Sequence, residues 1–334
     1  MMNKIKAVVI GHAVGDALGV PVEFMTREEL KKNPVTTMIG YGTYPVPKGA
    51  WSDDTSMSLC ALDAFGEGKI NFDKVMVNFA RWYYQDLFTP TGEMFDVGNT
   101  CSIAIERYMR EQVSWRECGL TDERSNGNGS LMRIHPFALY TYFLDTNVKT
   151  KIEIIELASG LTHAHPRSKM ACGIYAFVLW ELLDDARKFG NKETVRRGLR
   201  RARKYYACNP EFKHFSYKLC RQIADCDHIW EVEGFHRATE EDIVSDGYVV
   251  NSLEAAIWCL YHTWTYKDCV LKAVNLGDDT DTIAAIAGGL AGAMYGYDAI
   301  PEEWRKALLK REYIEDLCEK AFSETINKKN AEDV

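Results

Sequence analysis

An all-α fold in one compact domain is what the sequence predicts, and three observations carry it. Apolar residues recur at helical spacing over 3–18, 54–66, 72–86, 98–112, 151–162, 168–188, 249–264, 267–275, 281–295 and 311–325. Strand-like alternation is nearly absent. Between the helices stand Gly, Pro and Asn clusters, among them TPTGEMFDVGNT at 89–100 and SNGNGSLMRIHP at 125–136, which read as shaped loops. No linker-like or low-complexity stretch divides the chain, and no repeat of about 20–50 residues suggests a solenoid. The domain is therefore placed at 1–326, with the tail NKKNAEDV, 327–334, expected to fray.

Composition narrows the function classes. The 334 residues are 46% hydrophobic and 26% charged, with a formal net charge of −8, enough apolar material for a large core and a poor match to a general nucleic-acid binder. The basic run ETVRRGLRRARKYY, 193–206, reads as a solvated helix face rather than an anion-binding patch. Ten cysteines without a C-x-x-C pair point to reduced core thiols in a cytoplasmic protein.

The first helix is apolar, but Lys4, Lys6, His12 and Asp16 interrupt it short of the roughly 20 residues a membrane span needs. No secretory cleavage site follows. It is expected to be a buried core helix, with no membrane as partner. Its end, GDALGVPVEF at 15–24, combines close-packing glycines with a proline stop and Glu23, a carboxylate on a rigid turn.

The second helix begins in WSDDTSMSLCALDAF, 51–65, where Ser52, Asp53, Asp54 and Thr55 run directly into apolar sequence. One cap residue would satisfy a helix start. The segment VNLGDDTDTIAAIAGGLAGAMYG, 274–296, repeats the arrangement with Asp278, Asp279, Thr280, Asp281 and Thr282. The helix behind it is so rich in Ala and Gly that neighbours can approach closely, which places it at the centre of a bundle. Carboxylates at its start then face the interior or a cleft, where they are costly unless a cation neutralises them.

Brought together, Asp53, Asp54, Asp279 and Asp281 with the hydroxyls of Ser52 and Thr282 form a set of hard oxygen donors. No His or Cys accompanies them at ligand spacing, so Mg²⁺ or Mn²⁺ suits the set better than zinc, copper or an iron–sulfur cluster. Four carboxylates can share two such ions. Two further loops offer substrate contacts. GNGSLMR, 127–133, places Asn128, Gly129 and Ser130 before a helix, where backbone N–H groups can face a phosphate or form only a capped turn. THAHP, 162–166, sets His163 and His165 two apart, so that one can reach a ligand.

Taken in order, GHAVGDALGVPVEF, GAWSDDTSMSLCALDAF, FDVGNTC, GNGSLMRIHPFAL, THAHPRSKMAC, GYVVNSLEAAIWC and VNLGDDTDTIAAIAGGLAGAMYG resemble the motifs of the ADP-ribosylglycohydrolase family over residues 11–296. The resemblance implies an all-α bundle with a central dimetal cleft. It implies two Mg²⁺ or Mn²⁺ ions held by Ser52, Asp53, Asp54, Asp279, Asp281 and Thr282. Glu23 falls where the family has a glutamate facing the metals, and Asp96 in FDVGNT where bacterial members have an aspartate proposed to act in catalysis. Asn128, Gly129 and Ser130 would face the diphosphate with His163 near it, and Tyr248 matches a tyrosine near the nucleotide. Ser52 replaces the family's usual threonine, and Asp278 stands where glycine is common.

The implied activity is metal-dependent hydrolysis of the N-glycosidic bond between ADP-ribose and an acceptor, foremost arginine in a mono-ADP-ribosylated protein. Two alternatives stand beside it: the same chemistry on O-linked, nucleic-acid-linked or small-molecule ADP-ribose, and a non-catalytic ADP-ribose-binding protein. The intact carboxylates weigh against the last.

Overall fold

The computed structural model describes residues 1–66, 68–184, 191–209, 212 and 238–332. Among them are fourteen α-helices and one short hairpin. The helices are α1 (Met2–Gly19), α2 (Arg27–Lys32), α3 (Asp53–Asp63), α4 (Phe72–Gln85), α5 (Asn99–Met109), α6 (His135–Phe143) and α7 (Val148–Gly160). There follow α8 (Pro166–Asp184), α9 (Asn191–Ala207), α10 (Val249–Tyr261), α11 (Tyr266–Val274), α12 (Thr280–Tyr295), α13 (Glu302–Ala307) and α14 (Arg311–Glu332). Strands β1 (Phe65–Gly66) and β2 (Lys69–Ile70) pair antiparallel. The all-α expectation holds. The periodicity misses four helices, the short α2 and α13 together with α6 and α9, of which α6 is signalled only by the loop before it and α9 only by its basic run; α2 is a capping box of Thr26 and Glu29, too brief to show a period. The last helix runs past 326 to Glu332.

Two antiparallel helices form the axis of the bundle, α1 and α12, and their seam is glycine. A Cβ on Gly292 would fall 1.9 Å from the Ala7 carbonyl oxygen, one on Gly11 2.5 Å from that of Gly288, and one on Gly15 2.0 Å from that of Ala284. At the end of the seam a Cβ on Gly19 would lie 2.3 Å from the Asp281 Cα. Steps of four residues keep these positions on one face, so the backbones touch along the whole contact. The consequence is positional: the last turn of α1, with Asp16, and the first turn of α12, with Asp281, meet at one end of the bundle.

By length and composition alone, Met2–Val22 could cross a bilayer, with mean hydropathy 1.4, but 94% of that window is buried inside the protein. Apolarity all round is what a helix enclosed by others requires. The third helix joins at the same end, because Asp16 accepts from the backbone N–H groups of Ser52 (2.9 Å) and Thr55 (3.1 Å) and from the Thr55 hydroxyl (2.6 Å). An α1 carboxylate thus caps α3 and fixes where the first acidic run points.

The basic helix α9 buries Val195, Leu199, Ala202 and Tyr206 against α8. Arg197 and Arg201 both pair with Glu181, while Arg196 and Arg200 pair with Glu193. These pairs fit the solvated-face expectation. The eight described cysteines are unpaired, all but Cys208 buried.

Candidate active site

Seven carboxylates converge where α1, α3 and α12 meet: Asp16, Glu23, Asp53, Asp54, Asp96, Asp279 and Asp281. Two sets of three lie close enough to share an ion, Asp16 with Asp54 and Asp281, and Glu23 with Asp96 and Asp281; within each set the ligand atoms are within 4.8 Å of one another. Asp281 belongs to both. Above them opens a cleft of about 370 Å³, lined among others by Glu23, Asp53, Asp96, Asp279 and Thr282 and by Gly127, Asn128, Gly129 and His163. That volume falls within the usual range of small-molecule sites, about 300–1,000 Å³.

Each acid is held by its local structure. Ser52 is the N-cap of α3, and its hydroxyl donates to Asp54 Oδ2 at 2.9 Å. The backbone N–H of Thr282 donates to Asp281 Oδ1 (2.9 Å), and the Thr282 hydroxyl lies 3.4 Å from Asp54 Oδ2. Asp279 accepts from the Asn128 amide at 2.7 Å, and the same amide reaches the Ser252 hydroxyl at 2.9 Å. Asn128 is thereby fixed between the second acidic run and α10. Asp278 adopts a left-handed backbone (φ 59°), which explains why glycine suits that position, and its side chain is exposed.

The site gathers acids without protein cations to balance them: among the described residues no Lys or Arg forms an ion pair with any of these acids. Glu23 Oε2 and Asp54 Oδ1 are buried with no hydrogen-bond partner. Burial, with Asp96 and then Asp279 nearby, pushes Glu23 up to about 8. Burial pushes Asp16 up to about 6, and Asp53, Asp54 and Asp281 lie well above the ordinary carboxylate range from burial and mutual repulsion. Orphaned buried oxygens in an all-oxygen, strongly anionic donor set fit a hard divalent cation.

A pH signature follows from the direction of these shifts. A raised carboxyl pKa means that the native chain holds protons the unfolded chain has lost, so stability falls as pH rises. The metal-free protein is expected to lose thermal stability between about pH 4 and 8, as Asp16 passes about 6 and Glu23 about 8. Mg²⁺ or Mn²⁺ should restore it most at the alkaline end. Thermal melts at stepped pH with and without cation check this; a flat profile in both conditions contradicts it.

The sequence-derived residues divide into three groups. Glu23, Asp53, Asp96, Asp279, Thr282, Asn128, Gly129 and His163 line the cleft. Ser52, Asp54 and Asp281 are buried beneath it. Ser130 and Tyr248 stand off its wall. The Ser130 hydroxyl is buried 2.9 Å from that of Ser159, and Tyr248 caps α10 with the Arg167 guanidinium 5.9 Å over its ring. Of the two loop histidines, His163 faces the cleft, whereas His165 Nδ1 accepts from the Arg167 backbone.

Two participants escape the sequence patterns. Asp16 looks like a mere break in an apolar helix, although an acid flanked by close-packing glycines is itself a signal. Tyr44, whose phenol lowers the pKa of both Glu23 and Asp96, sits in an aperiodic loop that offers none.

Comparison with known proteins agrees with this geometry. The family model described as ADP-ribosylglycohydrolase matches residues 1–331. The ADP-ribosylarginine hydrolase Tri1 of Serratia proteamaculans (strain 568) is 30% identical over 322 residues, covering 96% of this chain and 79% of the relative. The ADP-ribosyl-[dinitrogen reductase] glycohydrolase of Rhodospirillum rubrum is 32% identical over 303 residues, 90% of this chain and 88% of that one. A solved structure, an ADP-ribosylglycohydrolase-related protein complex, superposes with a TM-score of 0.76 at 29% identity over 97% of this chain and 98% of the other.

Proposed function

The chain belongs to the ADP-ribosylglycohydrolase family, and from that premise we propose that it is a divalent-cation-dependent hydrolase releasing ADP-ribose from arginine in mono-ADP-ribosylated proteins. The observation that carries the metal dependence is the pair of carboxylate triads sharing Asp281 beneath the cleft, with orphaned oxygens on Glu23 and Asp54.

The donor set suits two ions, Mg²⁺ or Mn²⁺, held by Asp16, Asp54 and Asp281 and by Glu23, Asp96 and Asp281, with Ser52, Asp53, Asp279 and Thr282 beside them. When bound, such ions supply positive charge that can grip ribose hydroxyls and acidify a water. The chain's own groups do the rest. Cleavage of the C1–N bond builds positive charge on the ribose, and Asp53 and Asp279 on the cleft wall stabilise it. Glu23 and Asp96, each influenced by the Tyr44 phenol, are the groups placed to hold and move protons there. Gly127 and Gly129 line the cleft with His163, where a diphosphate would lie.

Arginine as the acceptor is favoured by the rim. Phe24, next to Glu23, is 67% exposed in a left-handed backbone (φ 66°) and lines the cleft mouth, where its ring face can meet a guanidinium. The acid-rich interior draws a cationic acceptor the same way.

Tyr44→Phe tests the proton-handling pair. The Tyr44 phenol lowers the pKa of both carboxyls, so its loss raises them. The acidic limb of the pH–rate profile should move to higher pH by roughly half to one unit, with kcat reduced about tenfold. An unshifted profile removes Tyr44 from the mechanism. The assignment of the reaction itself is tested by mass spectrometry of ADP-ribose released from arginine-, serine- and nucleic-acid-linked substrates. Release from arginine alone supports the proposal, release only from the others reassigns the acceptor, and binding without release makes the protein an ADP-ribose reader.

A further inference from the structure

A fully buried arginine stands behind the cleft with no carboxylate partner among the described residues. Arg133 is 0% exposed, its guanidinium lies 4.7 Å over the Phe79 ring, and it donates to the Ala158 carbonyl (3.2 Å) and to the Thr162 hydroxyl oxygen (2.8 Å). The Thr162 oxygen is in turn 2.8 Å from His163 Nδ1. The other face of the same imidazole lines the cleft, where added Cβ atoms on Gly127 and Gly129 would lie 3.6 and 3.5 Å from His163 Nε2.

From this chain we infer that Arg133 is a positioning residue that acts through Thr162 to hold His163 as the neutral tautomer, with Nδ1 accepting and the Nε2–H donor turned to the cleft. Arginine has donors only, so the Thr162 oxygen must accept from it. Threonine has one hydroxyl proton left to give. His163 Nδ1 is a better acceptor for it than the other neighbour, Cys101, whose thiol is kept protonated by burial, up to about 12. Burial, and next the Arg133 charge, lower His163 to about 3, in keeping with a neutral ring. The ring's backbone is pinned as well: its N–H donates to the Ser159 carbonyl and its carbonyl accepts from the Ser159 hydroxyl, each at 2.9 Å.

The functional consequence rests on the reaction proposed above. A fixed Nε2–H donor admits an acceptor oxygen such as a diphosphate oxygen and excludes His163 as a base. The Arg133 guanidinium behind it, which pairs with no carboxylate among the described residues, adds positive potential there. The competing arrangement is a His163 Nδ1–H donating to Thr162, which would direct the threonine proton to the Cys101 sulfur and present a bare Nε2 lone pair to the substrate.

Long-range ¹H–¹⁵N NMR of the full chain, labelled on histidine and without ligand at pH 7, separates the two; His163→Gln identifies the resonances. The expected spectrum shows Nε2 protonated and Nδ1 unprotonated. Thr162→Val should lose that pattern and weaken ADP-ribose binding about tenfold, whereas Thr162→Ser should retain both. Arg133→Met, where it folds, should shift the pattern as Thr162→Val does, and a wild-type spectrum from it overturns the part given to Arg133. A protonated Nδ1 in the wild-type spectrum, or a Thr162→Val protein with wild-type spectrum and affinity, overturns the relay. Should the expected spectrum come with no ADP-ribose affinity at all, the relay stands and the proposed reaction fails.

Discussion

Asp281→Asn is expected to leave the fold intact, weaken Mn²⁺ binding by a factor of about 100 or more, and reduce turnover about 10³-fold. The size of the effect comes from sharing: Asp281 is the one carboxylate common to both triads, so a single neutral amide removes a charged donor from each. Stability is expected to move in the opposite direction. Burial first, and then the charges of Glu23, Asp54, Asp279 and Asp16, raise the Asp281 pKa, so an isosteric neutral side chain relieves both costs in the metal-free protein. The Thr282 backbone N–H bond to its Oδ1 survives in the amide. Calorimetric Mn²⁺ titration, ADP-ribose release and a thermal melt on the same preparation check all three. A variant retaining turnover within tenfold would remove Asp281 from the reaction, and a lowered metal-free melting temperature would make its role one of packing.

Gly15→Val is expected to destabilise the protein by about 4 kcal/mol or more, enough to prevent folding in a domain of ordinary stability. The obstruction is backbone: the first added carbon would sit 2.0 Å from the Ala284 carbonyl oxygen and 2.6 Å from its carbon, and no side-chain rotation relieves that. Separation of α1 from α12 would also draw Asp16 away from Asp281, so any folded remnant should bind Mn²⁺ poorly. Gly66→Ala is the control, since nothing lies within 4 Å of the added Cβ, and it should change stability by less than about 1 kcal/mol. Chemical denaturation measures both; a Gly15→Val midpoint close to wild type would mean that the seam can open without loss.

Much of this arrangement is legible in the sequence because the same residues serve two purposes. Ser52 and Asp279 stand at helix starts, and the small residues of α12 announce a central helix, so the acidic runs could be placed inside the molecule without coordinates. The glycines of α1 carry the same message in their four-residue spacing. What spacing cannot give is the partner across the seam. Asp16 becomes meaningful only when Gly15 meets Ala284 and brings the start of α3 alongside. Tyr44 reaches Glu23 and Asp96 from a loop between α2 and α3, where no periodic constraint acts. Sequence order likewise leaves both faces of the 127–133 loop open. The folded chain turns Asn128 and Gly129 to the cleft and the Ser130 hydroxyl to Ser159.

Under the proposed function, the acidic cleft works only when divalent cations neutralise it. The most direct measurement titrates Mn²⁺ into chelator-stripped protein at about pH 8 and follows ADP-ribose release from an arginine-linked substrate in the same sample. Release rising from zero in step with the filling of two sites, and abolished by Asp281→Asn, is the expected result. Full release from the stripped protein, or Mn²⁺ binding that leaves the rate unchanged, would contradict it.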